Sequence, residues 1–240
     1  MFRHGVGLHG GMPMNEALWI GFMLLDLCLA LLLFKLFGRV GLFGLIVMSL
    51  IVCNIQVLKV VKLFGFTTTL GNVLYASVFL ATDILGEFYG KEEARRGVLL
   101  GFCALVISTL YMQIALRFTP APDDFIQPHL VSVFGVVVRV TAASLLAYVV
   151  SQLHDVWAFH YWKERTGGKW LWLRNNASTW VSQLMDTLIF CTVAFWGVFP
   201  LDVWLEIVAT TYVFKLVVAV MDTPFMYLAK RIAPREVATR

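Results

Sequence analysis

Apolar residues run along this chain in blocks of about 20, separated by short clusters of charge or by Gly, Pro and Asp. As a helix rising about 1.5 Å per residue, such a block crosses a hydrocarbon core of roughly 30 Å. A membrane barrel needs alternating segments of about ten residues instead, and the chain has none. The qualifying blocks are residues 16–37, 40–60, 71–90, 97–117, 131–153, 177–199 and 203–230. The pattern predicts an all-α polytopic membrane bundle of about seven transmembrane helices. They form one transmembrane domain over residues 16–232, with tails at 1–15 and 233–240. The first apolar run leads straight into further spans and no small-residue cleavage site follows it, so a cleaved signal peptide is not expected.

Composition agrees: 60% of the 240 residues are hydrophobic and 14% charged, where a soluble domain carries about a quarter charged. Seven spans put the termini on opposite faces of the bilayer. One face then holds Arg3, Lys59, Lys62 and Arg117, and the other holds thirteen of the 19 Lys and Arg, including the run Lys91–Arg96 and the C-terminal tail. The excess of basic loops predicts an outside N-terminus and a cytoplasmic C-terminus. Loop charge therefore accounts for the net +4 without a nucleic-acid partner. The loop 118–130, with Asp123, Asp124 and no basic residue, belongs outside. Cys28, Cys53, Cys103 and Cys191 stand singly in different blocks, which supports neither a disulfide framework nor a zinc site.

Charge at membrane depth costs at least about 2.5–3.5 kcal/mol per residue and marks functional candidates. These are Asp26, Asp83, Glu87, Arg139, Asp186, Lys215 and Asp222, with Asn54, Gln56, Gln113, Thr179 and Gln183 as neutral companions. Asp83 and Glu87 are four apart and share a helix face, where like charges repel. Either a proton or cation sits between them, or each has a structural partner: Lys91 at i+4 for Glu87, and Arg139 or Lys215 for Asp83. Thr179, Gln183 and Asp186 line one face of the sixth span, as substrate contacts or as a hydrogen-bonded helix seam. Asn54 is a better cavity candidate than Gln56, which points elsewhere on the same helix. Asp222-Thr223-Pro224 predicts a kink in the last span. Acids outnumber the two membrane-depth bases, so a neutral or cationic ligand is favoured over an anion.

Gly97–Gly101 and Ala143–Ala147 are small-x-x-x-small pairs, which fit close helix packing more readily than a homodimer face, though they leave the dimer open. His154 and His160, flanking Asp155, are six apart and diverge around a helix, so no metal site is expected. No nucleotide-binding glycine loop or hydrolase signature occurs, so neither ATP hydrolysis nor a familiar membrane hydrolase is indicated.

Two stretches carry a family resemblance. "ATDILGEFYGKEEAR" (81–95) resembles the signature A-T-D-x-x-x-E-x-Y-G-x-x-x-A-R, and "LRNNASTWVSQLMDTLIFCTVAFWG" (173–197) resembles S-T-x-x-x-Q-x-x-D-T-x-x-F; "NIQVLK" (54–59) and "SLLAYVVSQLHDVWAFHYWK" (144–163) fit as well. The family is the queuosine-precursor transporters, formerly grouped as vitamin uptake transporters, and the likeness covers residues 15–232. It implies a bacterial inner-membrane protein, without cofactor or enzyme activity, that takes up 7-cyano- or 7-aminomethyl-7-deazaguanine or queuine for tRNA modification. The lipid bilayer and a nucleobase would be its partners. The motif residues map onto Asp83, Glu87, Gln183 and Asp186. A carboxylate such as Asp83 could accept the paired N1–H and amine of the base, and Gln183, Asn54 or Arg139 could donate to O6. Phe88, Tyr89 or Trp180 could stack on the ring, and Glu87 could serve a cytoplasmic gate or proton release. The competing expectations are the membrane subunit of a multi-component vitamin importer, a membrane enzyme acting on lipids, and a purely structural protein.

Overall fold

The computed structural model describes residues 12–135, 138–197 and 200–233. Helix α1, Met12–Gln56, carries the first two expected spans as arms that meet at Gly38, whose φ 56 and ψ −134 are not helical. Only glycine adopts that conformation cheaply, and a Cβ there would stand 2.8 Å from Tyr89 Oη. Both ends of α1 lie beside a hairpin, β1 (Val60–Leu63) and β2 (Phe66–Thr69), which pair antiparallel with Leu63 opposite Phe66. Asn15 donates to the Lys62 carbonyl at 3.3 Å, and the Phe64 N–H donates to Glu16 at 2.8 Å. Phe64 and Gly65 both have positive φ, the turn geometry that matches strand twist.

Helix α2 (Asn72–Phe88) and helix α3 (Lys91–Ala115) are divided at Gly90, φ 93. A short α4 (Gln127–Leu130) follows, and the Asp124 carboxylate accepts from the N–H of Ile126 at 2.8 Å and of Gln127 at 3.2 Å, fixing its entry. A π-helical turn, Val131–Gly135, leads to α5 (Val138–Arg165), then α6 (Leu171–Phe195) and α7 (Leu201–Ile232). Residues 131–153 and 177–199 thus underestimated α5 and α6, which run on until only the turn 166–170 separates them. Their added turns carry polar residues that bury against each other, so an apolar pattern misses them. Helix α7 runs continuously through Pro224.

Among the described residues, three stretches are long and apolar enough to cross a membrane: Met14–Gln56, Lys91–Ala115 and Trp204–Ile232. They turn Leu25, Leu32, Leu99, Leu110, Val213 and Val217 outward, as lipid contact demands. Helices α2, α5 and α6 instead bury polar side chains, among them Thr82, Asp83, Gln152, Asp155, Asn175 and Asp186, and α5 and α6 form the most extensive helix contact. The first arm of α1 seals this interior with Trp19, Met23, Leu27 and Phe34, all buried. Gly97 and Gly101 are internal: a Cβ at Gly101 would come within 2.5 Å of both Leu50 and Tyr148. Ala143 and Ala147 are buried too, so both small-residue pairs serve packing within the chain.

Candidate functional site

A column of polar side chains passes through α2, α5, α6 and α7. On α7 it is marked by Lys215, Asp222 and Lys230, seven and eight residues apart, hence about 10–12 Å per step. Each marks one tier.

In the tier nearest the hairpin the charges are paired. Lys215 Nζ donates to Asp186 Oδ2. Asp186 Oδ1 accepts from Tyr75 Oη at 2.9 Å and from Ser151 Oγ at 3.2 Å. The ammonium also lies 5.2 Å from the centre of the Tyr75 ring, an added cation–π attraction.

The tier at the Gly38 end is charge-paired as well, around Glu87, although Arg174 Nε is buried there without a hydrogen-bond partner. Its carboxylate accepts from Arg174 Nη2 at 2.5 Å and lies 2.9 Å from each of Lys163 Nζ and Lys230 Nζ. Lys163 also donates to the Glu87 backbone carbonyl at 2.9 Å, and the fully buried Arg174 guanidinium rests 5.3 Å over the Phe159 ring. One carboxylate thus ties α2 to α5, α6 and α7.

The middle tier is different. It holds Asp83, Asp155 and Asp222, all buried. Asp83 lies against Asp155, which stands among Ser178, Thr179 and Ser182. Asn175 Nδ2 donates to Asp222 Oδ1 at 2.9 Å, and Thr82 donates to Gln152 Oε1 at 3.3 Å. No Lys or Arg among the described residues pairs with these three acids; Arg174 acts on Asp83 through space but gives its hydrogen bonds to Glu87 and the Gly168 carbonyl. Asp83 Oδ2, Asp222 Oδ2, Asn175 Oδ1 and Gln152 Nε2 are buried without a hydrogen-bond partner, and Asp155 has only Asp83 and the α6 hydroxyls beside it, none in good hydrogen-bond geometry. Each such atom costs about 1–3 kcal/mol. Unpartnered atoms also occur elsewhere, at Asp26, Arg174 and Thr187 among others, but here they belong to three acids with no cation in contact among the described residues, which is what a binding site for a hydrogen-bonding ligand requires.

Of the residues singled out in the sequence, Asp83, Glu87, Asp186, Lys215 and Asp222 fall in the column, while Asp26 is buried on the first arm of α1 with Oδ2 unpartnered. Gln183 is buried on α6 between two tiers, with Oε1 unpartnered. Asn54 lies elsewhere, in a groove of about 260 Å³ between α1, α3 and the π-helical turn. Arg139 begins α5, and its side chain lies outside the described residues. Lys91 does not pair with Glu87, because Gly90 ends α2 and Lys91 opens a new helix, which removes the i+4 geometry. Lys215 serves Asp186 rather than Asp83. Phe88 and Tyr89 pack on Phe34, with ring centres 5.2 and 6.4 Å away, and Trp180 is exposed; none of the three faces the acid tier. Sequence reasoning left out Asp155, Asn175, Gln152 and Arg174. Ser151, Gln152 and Asp155 do fall at helical spacing, the one signal that could have found the α5 face.

A family model described as "Putative vitamin uptake transporter" matches residues 69–229. The chain is 45% identical over 223 residues to a protein of Bacillus subtilis (strain 168) named "Probable queuosine precursor transporter", covering 92% of this chain and 97% of that one. It is 32% identical over 185 residues to the "Queuosine precursor transporter" of Escherichia coli (strain K12), covering 73% of this chain and 80% of that one. No solved structure matches the chain.

Proposed function

The chain belongs to the vitamin uptake transporter family, a multi-pass inner-membrane protein and not an enzyme, and from that premise we propose that it imports queuosine precursors through the middle tier. The observation that carries this reading is the set of unpartnered acceptors around Asp83, Asp155 and Asp222. A 7-deazaguanine presents N1–H and its exocyclic amine side by side, and one carboxylate accepts both. Asp83 takes that edge. Gln152 Nε2, an unpartnered donor, takes O6. The 7-cyano, 7-aminomethyl and queuine forms share this edge. Gln183 and the neutral hydrogen-bonding side chains of α6 complete the contacts.

The charge-paired tiers act as the two closures of the pathway. The Glu87 tier faces the cytoplasm, because the basic loops lie at its end, which puts the N-terminus outside. Residues 16–232 work as one transport unit. Asp83 and Asp155 face each other, and two ionised carboxylates in contact repel. A proton shared between them relieves that repulsion, which gives uptake a means of proton coupling.

The test uses a bacterial host lacking both queuosine-precursor synthesis and its own transporter, supplied with nanomolar 7-aminomethyl-7-deazaguanine. Queuosine in its tRNA is restored by this chain if the reading holds. Absence of restoration despite good membrane expression contradicts it.

A further inference from the structure

Resting on the transport reading above, we infer that the acid tier takes its ligand as a cation: among 7-substituted deazaguanines, the aminomethyl base, whose arm is an ammonium, ranks above the neutral cyano base. Charge is the first ground. Asp186 and Glu87 each have cations of their own, whereas Asp83, Asp155 and Asp222 share none in contact. Desolvated carboxylates need a compensating positive charge or a proton.

Hydrogen-bond inventory is the second ground, and it is independent of charge. Among the described residues of this tier the unpartnered atoms at Asp83, Asp155, Asp222 and Asn175 are acceptors, and the unpartnered donors are Gln152 Nε2 and the Thr179 hydroxyl beside Asp155, so acceptors outnumber donors. A nitrile adds another acceptor and no donor. An ammonium adds three donors. Asn175 is fully buried, as are Asp155 and Gln152, so an unmatched group here is not rescued by solvent.

Geometry divides the labour. With the ring edge on Asp83, the arm falls to Asp155 and Asp222. Asn175 holds Asp222 Oδ1 and leaves Oδ2 free, so that carboxylate is oriented in advance. Among the described residues no cluster of His, Cys, Asp and Glu is grouped to hold a metal ion, which favours an organic ammonium as the cation.

The test measures uptake of isotopically labelled 7-aminomethyl-, 7-cyano- and 7-hydroxymethyl-7-deazaguanine into energised membrane vesicles containing the full chain. The hydroxymethyl base matches the aminomethyl base in size without its charge. The expected half-saturating concentration for the aminomethyl base is lower than for the other two by roughly tenfold or more, the worth of a charge-assisted hydrogen bond. Asp222→Asn, at matched membrane abundance, brings the ratio closer to one by raising the aminomethyl value more than the other two. Equal handling of all three bases by the wild type overturns the inference and leaves the transport reading standing. So does an equal loss for all three in Asp222→Asn. Uptake of none of them sinks both. The wild-type ratio decides the matter even if the variant fails to fold.

Discussion

Asp83 and Glu87 lie one turn apart on α2, yet their surroundings are opposite. Glu87 is bound by Arg174, Lys163 and Lys230, whereas Asp83 faces two further acids and, among the described residues, no cation in contact. The first arrangement joins four helices. The second is held only by neutral-donor bonds such as Asn175 to Asp222 and Thr82 to Gln152, and it leaves buried oxygens without partners. A transporter needs both: a closure strong enough to seal and a site whose hydrogen bonds are completed by something else. The difference teaches that a buried carboxylate is read from what stands opposite it across the bundle, not from its own helix.

The largest expected effect comes from breaking the Glu87 tie. Glu87→Gln strands the buried Arg174 together with two lysines, and removing one partner of a buried pair costs about 3–5 kcal/mol. The thermal midpoint of the detergent-purified protein should fall accordingly. Next comes the hairpin-side tier. Lys215→Met alone leaves Asp186 uncompensated and should destabilise the protein by about 3 kcal/mol. Adding Asp186→Leu should recover most of that loss, and a double-mutant cycle on thermal midpoints reads the coupling.

How much of this was legible beforehand follows from the direction in which each residue acts. Spans facing lipid announce themselves: both arms of α1, α3 and α7 read as apolar blocks because their outward faces must be apolar. The hairpin was not anticipated, although Val60, Val61, Thr67, Thr68 and Thr69 are β-branched around a Phe64–Gly65 turn and such residues favour strands. It lay between two spans, where an apolar reading sees only a connection. Candidate acids were legible as charges in apolar blocks, but their partners were not. Lys163, Arg174 and Lys230 reach Glu87 from three other helices, and spacing within one helix cannot report that. Asp155 was passed over because its neighbouring histidines invited, and failed, a metal test; its relevant neighbours are Asp83 and the α6 hydroxyls.

Smaller effects sharpen the contrast. Gly38→Ala places a Cβ 2.8 Å from Tyr89 Oη at a positive φ and should cost about 1–3 kcal/mol of stability, visible as a modest fall in the same midpoint. Lys91→Ala should change the midpoint by no more than about 0.5 kcal/mol, because Lys91 has no share in the Glu87 tie. A large effect at Lys91 would restore the local i+4 pairing.

The most direct measurement is the thermal midpoint of the purified wild type and Asp83→Asn, each with and without saturating 7-aminomethyl-7-deazaguanine. Ligand binding to the folded state raises the midpoint by mass action. The middle tier as substrate site predicts a clear ligand-induced rise for the wild type. Asp83→Asn should start from an equal or higher midpoint without ligand, since it strands no cation, and should show no rise. A full ligand-induced rise in Asp83→Asn would contradict the assignment of the acid tier.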